Sequence, residues 1–216
     1  MVSFTFDDVL ASAATCGAAL LERYGARGTF FAASSFTGNH GLMGPFATDQ
    51  QLCSLDYRGH ELACHTWSHL NCGLAGADAL AADCDRNAKH FAAAGLPQPR
   101  NFSYPFGDIS SAAKQSLGSR FKLLRALHPG VITSGTDLNQ APAVGIEGPQ
   151  GEARAEQWLL QAAVQKGWLI LYTHDVAEDC SQFGCTPAAL EHLLEAARLL
   201  GFDIVTVAEG ARRLNL

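Results

Sequence analysis

The sequence predicts an α/β fold built from repeated βα units, on three observations. Short apolar runs alternate with alanine-rich stretches of helical period. About seven such alternations fit along the chain, enough for a parallel barrel or an open doubly wound sheet. Polar residues stand at the C-terminal ends of several apolar runs, which is where α/β folds gather their functional groups.

"MVSFTF" reads as the first strand, and Val9 to Arg23 as an amphipathic helix with Leu10, Ala14, Leu20 and Leu21 on one side. "GTFFAASS" is a second strand. The Gly-rich loop that follows, through Gly44, lacks the GK[ST] of a phosphate loop and reads as a rim on the substrate side. "TDQQLCSLDYRG" predicts a helix capped by Thr48, and "HELACH" a third strand. "AGADALAADCDRNAKHFAAAG" is the clearest helix, stopped at Gly95. "RNFSYPFG" is a strand meeting a Pro-Gly turn, and "SSAAKQSLGS" a helix. "FKLLRAL", "WLILYTHD" and "FDIVTV" are further strands, the last two separated by a helix from Pro187 to Leu200 with a first-turn proline. No linker or repeat interrupts the pattern, so residues 1–216 are expected to form one domain.

Composition narrows the function. The net charge is −6 and the arginines and lysines are scattered, which argues against a nucleic-acid partner. No apolar run approaches the roughly 20 residues of a membrane span, and the N-terminus lacks the pattern of a signal peptide. The seven cysteines include no CxxC pair, so a zinc ribbon is a weak reading. Cys180 and Cys185 could close a small loop disulfide; free thiols in a reducing compartment suit the rest. The expected location is cytoplasmic, or extracytoplasmic if an upstream segment has been removed.

Chemistry concentrates at four strand ends: Asp7 and Asp8 in "FTFDD", His65 in "HTWSH", Pro105 in "FSYPFG" and His174 in "LILYTHD". The His65/His69 spacing predicts two imidazoles on one face of a helical turn, near enough to share a metal. The pair alone is a weak motif, and Thr66 stands where a metalloprotease would carry its glutamate base. Asp7 and Asp8 supply what is missing, because one carboxylate can complete a His/His/Asp ligand set while the other takes a proton from water. A regular strand would send adjacent side chains to opposite faces. Both reach one site only if the strand ends near Phe6 and the chain bends there.

In order and spacing, "FTFDD", "GHELACHTWSH", "FSYPFG" and "LILYTHD" resemble the NodB homology domain of the polysaccharide deacetylase family, carbohydrate esterase family 4. The resemblance runs to the closing "GFDIVTVAEGARRL". It implies a distorted (β/α) barrel, often seven-stranded, and metal-dependent hydrolysis of N-acetyl groups on amino sugars of a chito- or peptidoglycan-like oligo- or polysaccharide. By the same resemblance Asp7 is the catalytic base, Asp8, His65 and His69 hold the metal, and His174 is the general acid. Phe106 would offer a backbone N–H to the oxyanion, Leu171 would line the acetyl pocket, and the neighbouring Tyr104 would lie on the substrate side. Trp67 would pack under the site or stack on a sugar ring. Zinc suits these donors, and cobalt, nickel or manganese would also fit.

Departures from the family pattern set further expectations. Ser103 stands where an arginine usually pairs with the catalytic aspartate, and Arg125 is the candidate replacement. The D-x-x-D-W motif is reduced to "SGTDLN", in which Asp137 could orient His174, brace Arg125 or cap a loop. Val9 replaces the glycine that usually follows TFDD. Two other readings use the same residues: a deacylase or deformylase of another small or lipid-linked amide, and a catalytically silent carbohydrate-binding member of the fold.

Overall fold

The structure, a computed structural model, describes residues 1–214. Seven parallel strands form one sheet: β1 (Val2–Asp7), β2 (Thr29–Ala32), β3 (Glu61–Cys64), β4 (Phe102–Ser103), β5 (Leu124–Arg125), β6 (Val144–Gly145) and β7 (Leu169–Thr173). Their order across the sheet is β5-β4-β3-β2-β1-β7-β6. The sheet curls until its edges meet. Just ahead of β6, Ala141 donates its N–H to Leu124 O (2.7 Å) and accepts from Ala126 N–H (2.8 Å) on the far edge. The result is a distorted seven-stranded (β/α) barrel.

Helices α1 (Ala18–Arg23), α2 (Asp49–Tyr57), α3 (Ala77–Ala93), α4 (Ser111–Gly118), α5 (Gly151–Gln165), α6 (Pro187–Leu199) and α7 (Val207–Arg213) complete the fold. Their ends carry the expected punctuation. Thr48 and Gln51 form a reciprocal capping box, Gly95 takes the left-handed conformation after α3, and Thr186 caps α6 ahead of Pro187. The first helix is shorter than its pattern implies, because a wide π-type turn occupies Ala13–Gly17. Among the described residues no helix is long and apolar enough to cross a membrane. All seven cysteines are free thiols, four of them buried.

Period-two alternation sorts the strands into two packing layers. Val2, Phe4 and Phe6 of β1 face outward and pack with Leu20, Leu21, Leu52, Leu190 and Leu194 of the helices. The interior is filled from other strands and loops by Phe31, Ala63, Leu123, Ile170, Tyr172 and Trp168. Ser3, Thr5 and Asp7 of β1 are also buried. Trp168 plugs the barrel near its base and donates its indole N–H to Ser3 Oγ at 3.0 Å.

"FDIVTV" is not a strand. Only Ile204 bridges Val2, and the chain then turns into α7 with Thr206 as its cap. Val207 N–H donates to Thr29 Oγ1 (2.8 Å) and Ala208 N–H to Glu61 Oε2 (2.7 Å). These two acceptors capture the start of α7 across the base of the barrel, where Val207 joins the interior cluster. The seventh strand is instead the short Val144–Gly145, too brief to show a period.

Trp168 is buried and carries both volume and a hydrogen bond. Trp168→Ala should cost about 3–5 kcal/mol, read as a fall in the urea midpoint at unchanged slope; a loss under about 1 kcal/mol would show that the base is not tightly packed.

Candidate active site

The two carboxylates meet because the backbone reverses its hand beneath them. β1 runs through Asp7, one residue beyond the expected end, and the bend falls on Asp8 (φ 61°) and Val9 (φ 56°). Val9 N–H closes the turn onto Asp7 O at 2.7 Å. A β-branched residue at positive φ is strained by roughly 1–3 kcal/mol. The surroundings hold it there, with Val9 buried and its carbonyl accepting Ala47 N–H at 2.8 Å. Glycine takes such a φ without this strain.

The His65–His69 segment is an irregular loop rather than the expected helical turn, with Thr66 (φ 60°) and His69 (φ 56°) both left-handed. Asp83 of α3 organises it from below. One oxygen, Oδ1, accepts from Trp67 N–H (2.8 Å) and Ser68 N–H (2.9 Å), and Oδ2 accepts from the Ser68 hydroxyl (3.1 Å). Leu70 N–H donates to Thr66 Oγ1 at 2.8 Å. The two imidazole rings end 4.9 Å apart. Nothing in the local spacing flagged Asp83, since an acid sixteen residues away on a helix reads as surface.

Asp8, His65 and His69 present a donor set that fits a metal ion. Asp8 Oδ1 lies 3.7 Å from His65 Nε2 and 3.6 Å from His69 Nε2. These distances are too long for hydrogen bonds. Two donors on one zinc-sized ion at bonds of about 2.0–2.2 Å sit roughly 3.4 Å apart in tetrahedral geometry. Asp8 Oδ1 is also buried with no hydrogen-bond partner among the described residues. His65 Nδ1–H donates to Ser103 O at 2.8 Å, which leaves the Nε2 lone pair facing Asp8. Burial pushes His65 down to about 3 and His69 down to about 4, so both are neutral donors. Burial, aided by the charge of Asp7, pushes Asp8 up to about 7 despite the opposing effect of His174.

Arg125 meets Asp7. Its guanidinium is fully buried, and Nη2 donates to both Asp7 oxygens, at 2.7 Å and 2.5 Å. The same nitrogen donates to the Ser103 hydroxyl. Ser103 and Arg125 are register partners on β4 and β5, so the small serine leaves the interior space that the arginine fills. The rings of Phe31 (5.2 Å) and Tyr172 (5.0 Å) flank the cation. Burial alone would raise the Asp7 pKa, but Arg125, His65 and His174 together hold it below the usual carboxylate value.

His174 follows β7 and opens onto the same cavity, a space of about 350 Å³ that Asp7, Asp8, His65 and His69 also line. Its Nδ1 lies 3.2 Å from the Phe183 carbonyl and 3.5 Å from Glu147 Oε2. Burial would lower its pKa, yet Glu147, Asp7 and Asp8 together raise it to about 9. Glu147 was not anticipated. It follows the two-residue β6, in a stretch with no readable period, and accepts from Tyr172 OH at 3.3 Å.

Other expected residues lie elsewhere or serve differently. Asp137 reaches neither His174 nor Arg125; it pairs with Lys114 and caps a turn through Asn139 N–H. Leu171 packs outward against the helices, and Tyr172, two residues before His174 and on its face of the strand, lines the cavity instead. Trp67 turns away onto α3, with His90 at 5.5 Å and Arg86 at 5.1 Å. Tyr104 and Phe106 do line the cavity. Phe106 has φ 61° and sets its ring against His69 at 4.3 Å.

The pair Asp7–Arg125 generates a prediction with a sign. Removing one partner of a buried ion pair strands the other. Arg125→Met should therefore cost about 3–5 kcal/mol at pH 7. The wild-type pair contributes stability above the ordinary carboxylate pKa and loses it as pH falls through the lowered Asp7 value. In the variant burial dominates, the Asp7 pKa rises, and protonation relieves the stranded charge. The deficit should shrink between pH 7 and pH 5 in paired urea titrations; an equal deficit at both would refute the assignment.

Comparison with known proteins agrees with this fold. The family model described as polysaccharide deacetylase matches residues 1–120, more than half of the chain. No curated protein matches. Among solved structures, the Xyl-CE4 domain of a multidomain xylanase from the hindgut metagenome of Trinervitermes trinervoides is 21% identical, with TM-score 0.69 over 100% of this chain and 91% of that one. The chitin deacetylase of the fungal pathogen Colletotrichum lindemuthianum is 18% identical, with TM-score 0.67 over 96% and 85%. A family 4 acetyl xylan esterase from Clostridium thermocellum, in complex with a cobalt ion, is 22% identical, with TM-score 0.63 over 99% and 90%. The barrel, the motifs at its strand ends and the family match lead to one conclusion: the chain belongs to the polysaccharide deacetylase family, with the NodB homology fold of carbohydrate esterase family 4.

Proposed function

We propose that the protein is a metal-dependent hydrolase that removes the N-acetyl group from an amino sugar. The observation that carries this reading is one cavity holding three groups of complementary chemistry: a carboxylate kept ionised by a buried arginine, a histidine kept protonated by a facing carboxylate, and an Asp/His/His donor set whose two imidazoles are neutral. Asp8, His65 and His69 would hold the ion, zinc or in its place cobalt, nickel or manganese. When bound, that ion supplies a Lewis acid for the acyl oxygen and makes water more acidic.

The chain's own groups do the rest. Asp7 accepts the proton of the attacking water, and its low pKa keeps it ionised at neutral pH. Arg125 binds both carboxylate oxygens and so fixes where that proton is received. The Phe106 N–H stands as the donor to the developing oxyanion. His174 donates its Nε2 proton to the departing nitrogen, while Phe183 O and Glu147 hold the Nδ1 side of the ring. An amine leaves poorly unless it is protonated, so a cationic acid suits an amide substrate.

Acetate release from N-acetylated chito-oligosaccharides, peptidoglycan fragments and O-acetylated xylan fragments tests the reading. Stripping the metal should abolish release and zinc or cobalt should restore it, while Asp7→Asn should lower kcat by about 10²–10⁴-fold. Release from the O-acetyl substrates alone would make it an esterase. Stoichiometric metal binding with no release from any substrate would reject hydrolysis.

The pH profile offers a separate check. His174 must be protonated, so activity should fall as pH rises through its pKa, which the facing Glu147 raises. Glu147→Gln removes a facing charge and should move that basic limb down by on the order of one pH unit. An unmoved limb would mean that another group acts as the acid.

A further inference from the structure

We propose that Asp175 is the positioning residue of the general acid: it builds the turn whose Phe183 carbonyl fixes the ring and the tautomer of His174. The inference rests on the deacetylase reading above and gives a role to a carboxylate that lies outside the cavity.

Asp175 follows His174 just after β7 and is buried, yet it does not line the catalytic cavity. Its carboxylate is engaged by Ser181. Oδ2 accepts Ser181 N–H at 2.7 Å and Oδ1 accepts the Ser181 hydroxyl at 2.6 Å. Asp175 O accepts Cys185 N–H at 3.0 Å, so one residue holds both ends of the segment 181–185. Between those ends, Ser181 O accepts Gly184 N–H (3.0 Å) and Ser181 Oγ accepts Phe183 N–H (3.2 Å), which closes a turn over 181–184. The fit admits no side chain at Gly184: a Cβ there would stand 2.3 Å from Asp175 Oδ1 and 2.8 Å from its carbonyl oxygen. Behind the turn, Ser181, Gln182 and Gly184 border a second cavity of about 410 Å³. The bonds to Asp175, more than packing, therefore hold the turn in place.

That turn comes back to His174. The Phe183 carbonyl accepts the backbone N–H of His174 at 3.1 Å, lies 3.2 Å from its Nδ1 and has the Thr173 hydroxyl at 3.4 Å. A carbonyl can only accept, so Nδ1 carries a proton whether the ring is cationic or neutral. Nε2 is then the nitrogen that gives up its proton, and it is the one left for the cavity that His174 lines. Glu147, 3.5 Å from Nδ1, supplies charge from a side chain, whereas the carbonyl supplies a fixed direction because it belongs to the turn. An aspartate after a strand often does no more than cap a turn. Here the capped turn returns its carbonyl to the neighbouring residue, the acid itself. An acid misplaced by about 1 Å loses on the order of 10²-fold in rate.

The experiment compares Asp175→Ala, Asp175→Asn and Ser181→Ala with the unaltered protein, all loaded with zinc. Two substrates separate the placing of an acid from a general loosening. An N-acetylated chito-oligosaccharide needs its amine protonated to leave; 4-nitrophenyl acetate releases a phenolate that leaves without a proton. Asp175→Ala should lower kcat for the amide about 10²-fold with KM little changed, and for the ester about tenfold less. Nitrogen-15 spectra of histidine-labelled protein give a readout that needs no turnover. The slowly exchanging Nδ1–H of His174, identified by its absence in His174→Gln, should disappear in Asp175→Ala. Asp175→Asn keeps one acceptor for Ser181 and should restore part of both effects. Ser181 is half-buried in a loop, so Ser181→Ala should fold, show the same pattern more weakly and decide the matter where Asp175→Ala does not fold. Equal losses on amide and ester, or an Nδ1–H signal unmoved in the variants, would overturn the inference and leave the deacetylase reading standing. Acetate release from neither substrate by the unaltered protein, with the signal lost in the variants, would sink the deacetylase reading and keep the placing of His174 by Asp175.

Discussion

The site depends on one buried ion pair, Arg125 with Asp7. A fully buried guanidinium is hard to accommodate, and it is kept charged and placed mainly through one nitrogen, Nη2. Asp7 supplies the counter-charge, the Ser103 hydroxyl accepts from the same nitrogen, and two aromatic faces cover the cation. With Asp7 ionised inside the barrel, the neighbouring Asp8 is pushed toward its neutral form, which a positive ion would reverse. The charge arrangement of the cavity thus begins with an arginine that touches no ligand position.

Around that pair the fold supplies direction more than energy. Asp7, His65 and His174 each stand at or just after the C-terminal end of a parallel strand. The loops beyond those ends take positive φ at Asp8, Val9, Thr66, His69 and Phe106, all on non-glycine residues. Strained backbone of this kind persists only where packing over-determines it. Here Asp83, Ala47 and Ser103 provide the hydrogen bonds that do so.

The parts of this protein readable in its sequence are those where chemistry restricts residue type. Two adjacent carboxylates after an apolar run, two histidines four apart and a histidine closing a strand all announced themselves, as did Arg125 once Ser103 was seen to lack a charge. Failures trace to geometry that residue type does not encode. Leu171 and Tyr172 differ by one position, and only the alternation counted back from His174 tells which faces the cavity. Asp137 and Glu147 are both acids in irregular stretches, and a two-residue strand decides which of them reaches His174. The apolar run "FDIVTV" has the composition of a strand, but acceptors distant in sequence, Thr29 and Glu61, turn it into a helix start.

Arg125 has a second attachment. Its backbone lies at the seam where the curled sheet closes, bridging Ala141, while its side chain grips Asp7. The barrel's closure and the charged state of Asp7 are therefore tied to the same residue. A sheet that opened at this seam would carry the cation away from Asp7, so the closure of the barrel and the buried ion pair would be lost together.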